Sequence, residues 1–164
     1  MAGFLDNSLV NGKGLRSVLF LSGCRHNCMG CHNKPMQDFN YGDTVELEEI
    51  MIRINKNIPL IKGVTFSGGE PLEQAENLVK LASIIKSENL NIWCYTGYVF
   101  EDILSKMAEN PILKKLMSYI DVIIDGKFDE NKKGCNLKYR GSSNQRIIDV
   151  KQSLTNNRVV LYNI

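Results

Sequence analysis

Short apolar runs alternate with amphipathic stretches along most of the chain, and this alternation constrains the fold more than any other feature. Val18-Leu19-Phe20-Leu21 reads as a strand, and residues 44 to about 57 read as a helix with Leu47, Ile50, Met51 and Ile54 at helical spacing. Val64-Thr65-Phe66 is the next strand. Residues 71 to about 88 form the next helix, with Ala75, Leu78, Val79 and Ala82 on one face and Pro71 suited to the first helical position. Residues 91–95 read as a third strand, 100–108 as a helix, Pro111 as the start of a short helix or turn, and 120–124 as a fourth strand. Strands that alternate with helices imply right-handed crossovers and a mostly parallel sheet. The chain has 164 residues, too few for an eight-fold barrel of roughly 250 residues. The expected fold is therefore α/β, an incomplete TIM-type barrel of mostly parallel strands. Beyond Phe128 the pattern changes: 147–150 and 159–161 read as strands separated by turn-forming Thr155-Asn156-Asn157. One domain over 1–164 is expected, with 129–164 its less regular segment.

The charge balance removes several function classes. Twenty basic and 18 acidic side chains leave a net charge of +2, which provides no electrostatic footprint for nucleic acid or a membrane surface. No apolar run approaches the ~18 residues of a spanning helix. The start Met1-Ala2-Gly3-Phe4-Leu5-Asp6 lacks the basic segment and apolar stretch of a signal peptide, so a cytoplasmic location is expected. Of the five cysteines, Cys24, Cys28 and Cys31 crowd into one short segment, whereas Cys94 and Cys135 lie far away. An odd count with one tight cluster makes a poor disulfide framework and points to metal.

Cys24-x-x-x-Cys28-x-x-Cys31 follows the first strand directly. Soft, anionic thiolates suit iron–sulfur clusters. Three of them leave one iron of a four-iron cluster open to a small molecule, and Gly23 and Gly30 give the loop its sharp turns. This spacing after a strand is the signature of the radical S-adenosylmethionine (SAM) superfamily. The alternative is structural zinc, with His26 or His32 as fourth ligand.

Ser67-Gly68-Gly69-Glu70-Pro71 closes the second strand. Its glycines admit close backbone approach, a helix start supplies free N–H groups, and Glu70 offers a carboxylate to a ligand ammonium. The same residues also read as a plain strand–helix turn. Asp125-Gly126-Lys127-Phe128 closes the fourth strand and, alone, reads as a turn with solvated charges. Position changes that weighing, because ligands in parallel α/β sheets sit at the C-terminal strand ends. Cys24 to Cys31, Gly68 to Glu70, Tyr95-Thr96-Gly97-Tyr98 and Asp125 to Lys127 all follow strand ends. Lys127 is placed to meet a ligand carboxylate, and Asp125 to orient it. Arg140-Gly141-Ser142-Ser143-Asn144-Gln145-Arg146 is dense in hydrogen-bonding groups. It reads either as a ligand or partner segment or as a polar loop; Arg140 and Ser142 to Asn144 are the candidates for a docking rim.

Together these segments resemble the activating enzymes of anaerobic ribonucleoside-triphosphate reductase, a radical SAM family. The resemblance is carried by Val10-Asn11-Gly12-Lys13-Gly14-Leu15-Arg16, Ser22 through Lys34, Ser67 through Leu72, Ile92-Trp93 with Thr96-Gly97-Tyr98, Asp121 through Phe128, and Arg140 through Gln145. It implies the radical SAM fold, a [4Fe–4S] cluster on Cys24, Cys28 and Cys31, and SAM as cofactor. It implies SAM contacts from Gly30, Cys31, His32, Gly68, Gly69, Glu70, Thr96, Asp125 and Lys127. Many superfamily members carry an aromatic residue just before the third cysteine. Here that position is Gly30, which leaves the adenine to the Gly30 backbone and His32. The implied reaction is reductive cleavage of SAM to methionine and a 5′-deoxyadenosyl radical, which takes hydrogen from a glycine Cα of the reductase. A flavodoxin-like donor supplies the electron. The alternatives are activation of another glycyl-radical enzyme and a non-catalytic zinc module.

Overall fold

The computed structural model describes all residues, 1–164. Six strands form one sheet: β1 Gly3–Ser8, β2 Arg16–Leu21, β3 Gly63–Gly68, β4 Asn91–Tyr95, β5 Val122–Asp125 and β6 Arg146–Asp149. They lie side by side in chain order. β2 through β5 pair in parallel, whereas β1 joins β2 and β6 joins β5 antiparallel. The molecule is thus a mixed α/β protein with a mostly parallel core sheet. The helices are α1 Leu47–Lys56, α2 Ala75–Ser87, α3 Phe100–Glu109, α4 Pro111–Met117 and α5 Val150–Asn156.

Alternation along the strands explains the layering. Leu19 and Leu21, Val64 and Phe66, Ile92 and Cys94, Ile123 and Ile148 all point to one face. There they meet Ile50, Met51 and Ile54 of α1, Leu78, Leu81, Ala82 and Ile85 of α2, Phe100 and Ile103 of α3, Leu113, Leu116 and Met117 of α4, and Val150 of α5. These belong to one core cluster of 26 buried residues, and burying that apolar area is the main source of stability. The opposite face is smaller and mixed. Trp93, Val122, Ile124 and Ile147 pack there with Tyr95, Tyr139 and Tyr162. At its N-terminal end the Arg16 guanidinium is fully buried, donating to Thr65 Oγ1, the Asn91 side chain and the Val64 carbonyl.

The structure departs from the sequence reading in four places. β1 was not expected. The stretch from Pro71 opens as a 3₁₀ turn, Pro71–Gln74, before α2 begins. Val150, read as the end of a strand, and Thr155-Asn156, read as part of a turn, belong to α5, capped by Asp149, whose carboxylate accepts from the Gln152 N–H at 2.8 Å. The strand expected at 159–161 reduces to a single bridge between Leu161 and Ile148.

Candidate functional site

Because β2 to β5 are parallel, the segments that follow them meet at one end of the sheet. The first is the cysteine loop, without regular structure up to a 3₁₀ turn at Lys34–Gln37. Left-handed backbone at Gly23, Asn27 and Gly30 coils it tightly. Its backbone is pinned: Gly23 N–H donates to Met36 O at 2.8 Å and Cys24 N–H to Gln37 O at 3.1 Å. Cys24, Cys28 and Cys31 are half-buried free thiols. Burial pushes the Cys24 thiol up, and the His26 backbone N–H on its sulfur pulls the other way. Cys94 is buried in β4 and Cys135 is exposed.

The thiols fit an iron–sulfur cluster better than a single ion. The donor set is three soft thiolates from one short loop, and a cubane accepts each thiolate on a separate iron. Both histidines also face other partners. His26 Nε2 lies 2.7 Å from Glu70 Oε2, and its ring packs edge-on against Tyr98. The exposed His32 lies against Phe128, centroids 4.7 Å apart.

Glu70 is enclosed by groups of the chain itself. Its carboxylate is completely buried and its oxygens have four partners. Oε1 accepts from Leu72 N–H at 3.0 Å and from Thr96 Oγ1 at 2.8 Å. Oε2 accepts from Gly97 N–H at 2.8 Å and meets His26. The carboxylate thereby ties the cysteine loop to the ends of β3 and β4. Thr96, also named as a ligand contact, is the second member of this tie. The glycines likewise serve the chain's own packing. A Cβ on Gly69 would stand 2.4 Å from the Gly23 carbonyl oxygen, and one on Gly68 2.4 Å from the Leu21 nitrogen.

Asp125 is buried, with Oδ2 accepting from the Phe100 N–H at 2.8 Å and Arg146 gripping the carboxylate. Lys127 is exposed, its Nζ 3.5 Å from the His26 carbonyl oxygen. An open cavity of about 740 Å³ gathers His26, Gly97, Tyr98, Asp125, Lys127 and Arg146. That volume suits a small-molecule site. Gly30, Cys31, His32, Gly68 and Gly69 are not in its lining; Gly30 lies against Glu130. Of the expected docking rim, Ser142 is fully buried, its hydroxyl accepting from Asp129 N–H, and this rules it out as a surface contact. His26 and Arg146 join the site although neither was read as a ligand contact. The signal for His26 was its place between two cysteines, and that for Arg146 its strand register opposite Asp125. A second cavity, about 670 Å³ between residues 39–47 and α2, contains none of the candidate residues.

A loop of three thiols at the carboxyl ends of parallel strands is the layout of an iron–sulfur protein, and the model of the 4Fe-4S single cluster domain family matches residues 10–148. Among curated proteins, the anaerobic ribonucleoside-triphosphate reductase-activating protein of enterobacteria phage T4 is 39% identical over 145 residues, 84% of this chain and 86% of that one. The protein of the same name from Pasteurella multocida is 34% identical over 152 residues, 88% and 93% of the two chains. That from Escherichia coli K12 is 36% identical over 144 residues, 84% and 90%. The chain belongs to the family of anaerobic ribonucleoside-triphosphate reductase-activating proteins.

Proposed function

We propose that this chain is the radical SAM activase of an anaerobic ribonucleoside-triphosphate reductase, the reductase being its protein substrate. The carrying observation is the loop of three free thiols at the shared end of four parallel strands. When bound, a reduced [4Fe–4S] cluster and SAM supply the radical chemistry that removes a hydrogen atom from a glycine Cα of the partner.

The chain's own residues bind and orient. Cys24, Cys28 and Cys31 hold the cluster. Lys127 supplies a cation for the SAM carboxylate, and its own carbonyl contact with the cysteine loop keeps it near that loop. The Gly68-Gly69 backbone offers the methionine end a close edge, and Gly30 with His32 the adenine. Glu70, Thr96 and Asp125 act beneath the ligand by fixing these segments to one another. The His26 and Tyr98 rings, centroids 4.4 Å apart, together line one side of the cavity.

The sheet is read as part of a TIM-type barrel because its strands follow chain order and all five helices contribute to the same core on one face. That shared core also supports a single domain over 1–164. A flavodoxin-like protein is the expected one-electron donor. No helix is long and apolar enough to cross a membrane.

Anaerobic reconstitution with iron and sulfide, followed by SAM, a strong reductant and the reductase, tests the reading. The expected result is 5′-deoxyadenosine together with a doublet glycyl-radical signal in electron paramagnetic resonance, lost when the reductase's radical-bearing glycine is changed to alanine. SAM cleavage with no radical on the reductase would overturn the activase reading.

A further inference from the structure

The backbone pairing of β5 with β6 ends at Asp125 opposite Arg146. Beyond it the chain turns through Gly126 at φ 94°, a left-handed conformation that takes the turn out of the regular ladder. Side chains continue the pairing where the backbone stops. Arg146 holds Asp125, through Nε at 3.1 Å and Nη2 at 2.5 Å. Gln145 Nε2 donates to the Gly126 carbonyl at 2.9 Å. Asn144 Nδ2 donates to the Lys127 carbonyl at 2.9 Å. Residues 146, 145 and 144 thus grip 125, 126 and 127 in antiparallel order.

The grip is itself braced. Gln145 is largely buried, and its Oε1 accepts from Gly141 N–H at 2.9 Å and Ser142 N–H at 3.2 Å. Two N–H donors on one side and a carbonyl on the other fix which way the amide points. Arg140 Nη1 donates to the Gln145 carbonyl, and Arg146 is steadied by Glu101. Within the Arg140-to-Arg146 segment, Asn144, Gln145 and Arg146 thus direct polar groups onto the Asp125–Lys127 turn.

We propose that Asn144, Gln145 and Arg146 are positioning residues that template this turn and so set where the Lys127 ammonium stands. The proposal rests on the reading above that Lys127 meets the SAM carboxylate. Asn144 delivers the hold closest to Lys127. It is exposed, so its removal leaves the core intact.

Equilibrium dialysis of radiolabelled SAM against the anaerobically reconstituted full-length protein tests it, with iron content measured on every variant. Lys127→Ala should weaken SAM binding by about thirty-fold, the loss of a charged hydrogen bond, and Asn144→Ala by about five-fold, the loss of a neutral one. Iron content should not change. The double variant should bind no worse than Lys127→Ala alone, because Asn144 acts only through Lys127. Independent, multiplying losses would overturn the proposal, as would an unchanged affinity in Asn144→Ala beside a weakened Lys127→Ala. An unchanged affinity in Lys127→Ala would instead overturn the assignment of Lys127 to SAM, and the proposal with it.

Discussion

Two turns at the same end of the sheet are built in opposite ways. The cysteine loop is held mainly by its backbone, at Gly23 and Cys24, with side-chain struts from His26 to Glu70 and from Asn33 to the Gly68 carbonyl. Its three thiols are left without partners among the other cysteines. The Asp125–Lys127 turn has every residue clasped by a side chain from Asn144, Gln145 or Arg146, at and just before the start of β6. Under the proposed cluster ligation the first draws part of its order from the ligand, whereas the second is held by the chain alone. Metal sites of the first kind couple binding to local order.

The sharpest way to break this contrast is to remove the thiolates. Replacing Cys24, Cys28 or Cys31 by Ala should abolish the intact four-iron cluster, and Cys94→Ala and Cys135→Ala should retain it. Iron and sulfide assays decide, and a normal content in Cys28→Ala would end the ligand assignment. Chelating the iron should likewise speed protease cleavage within residues 22–43 but not within 125–146.

The next effect tests the tie between the loop and the sheet. Glu70→Ala strands buried donors at Leu72, Thr96 and Gly97 and should cost about 3 kcal/mol in urea unfolding, with Glu70→Gln about half of that. Wild-type stability with lost SAM affinity would show that the carboxylate serves the ligand after all. Gly69→Val is smaller. Its Cβ meets the Gly23 and Met36 carbonyl oxygens, so about 1–2 kcal/mol of crowding should fall on the cysteine loop and lower iron loading. Full loading with impaired SAM binding alone would place the pressure on the ligand side.

The smallest effect lies behind the Asp125 turn. The Arg146 guanidinium holds the Glu101 carboxyl down to about 2 from an ordinary 4.5. A depressed carboxyl stabilises the fold above its unfolded value, so the contribution is present above about pH 4.5 and is lost as pH falls toward about 2. Glu101 is 57% exposed, so the pair is worth under about 1 kcal/mol. Glu101→Gln should flatten the acid limb of a thermal-melt series by that amount and leave the midpoint near pH 2 unchanged.

What the sequence made legible follows from range. The parallel strands and α1 to α3 show in periodicity because their buried faces are continuous and local. β1 escaped because GFLDNS exposes Leu5, Asp6 and Asn7 on an edge and has no apolar run. α5 is masked because Val150 continues the apolar run of the preceding strand, although Asp149 is a local N-cap signal. The cysteine, Gly-Gly-Glu and Asp-Gly-Lys segments could be placed at one mouth, since each follows a strand. Their internal pairing could not, because Glu70 reaches His26 across 44 residues and Asp125 reaches Arg146 across 21, and no local pattern records such separations.

The enclosed Glu70 carboxylate also bears on inheritance and transplantation. Its bonds come from positions 26, 72, 96 and 97, and a side chain at 97 would collide with the His26 ring, Cδ2 standing 2.3 Å from the added Cβ. A lineage that altered Glu70 alone would strand the donors at 72, 96 and 97, so positions 26, 70, 96 and 97 should drift as a block or stay put. Grafting the cysteine loop onto a foreign scaffold would have to carry the whole block along, and its three thiols copied alone would arrive without the anchor that aims them.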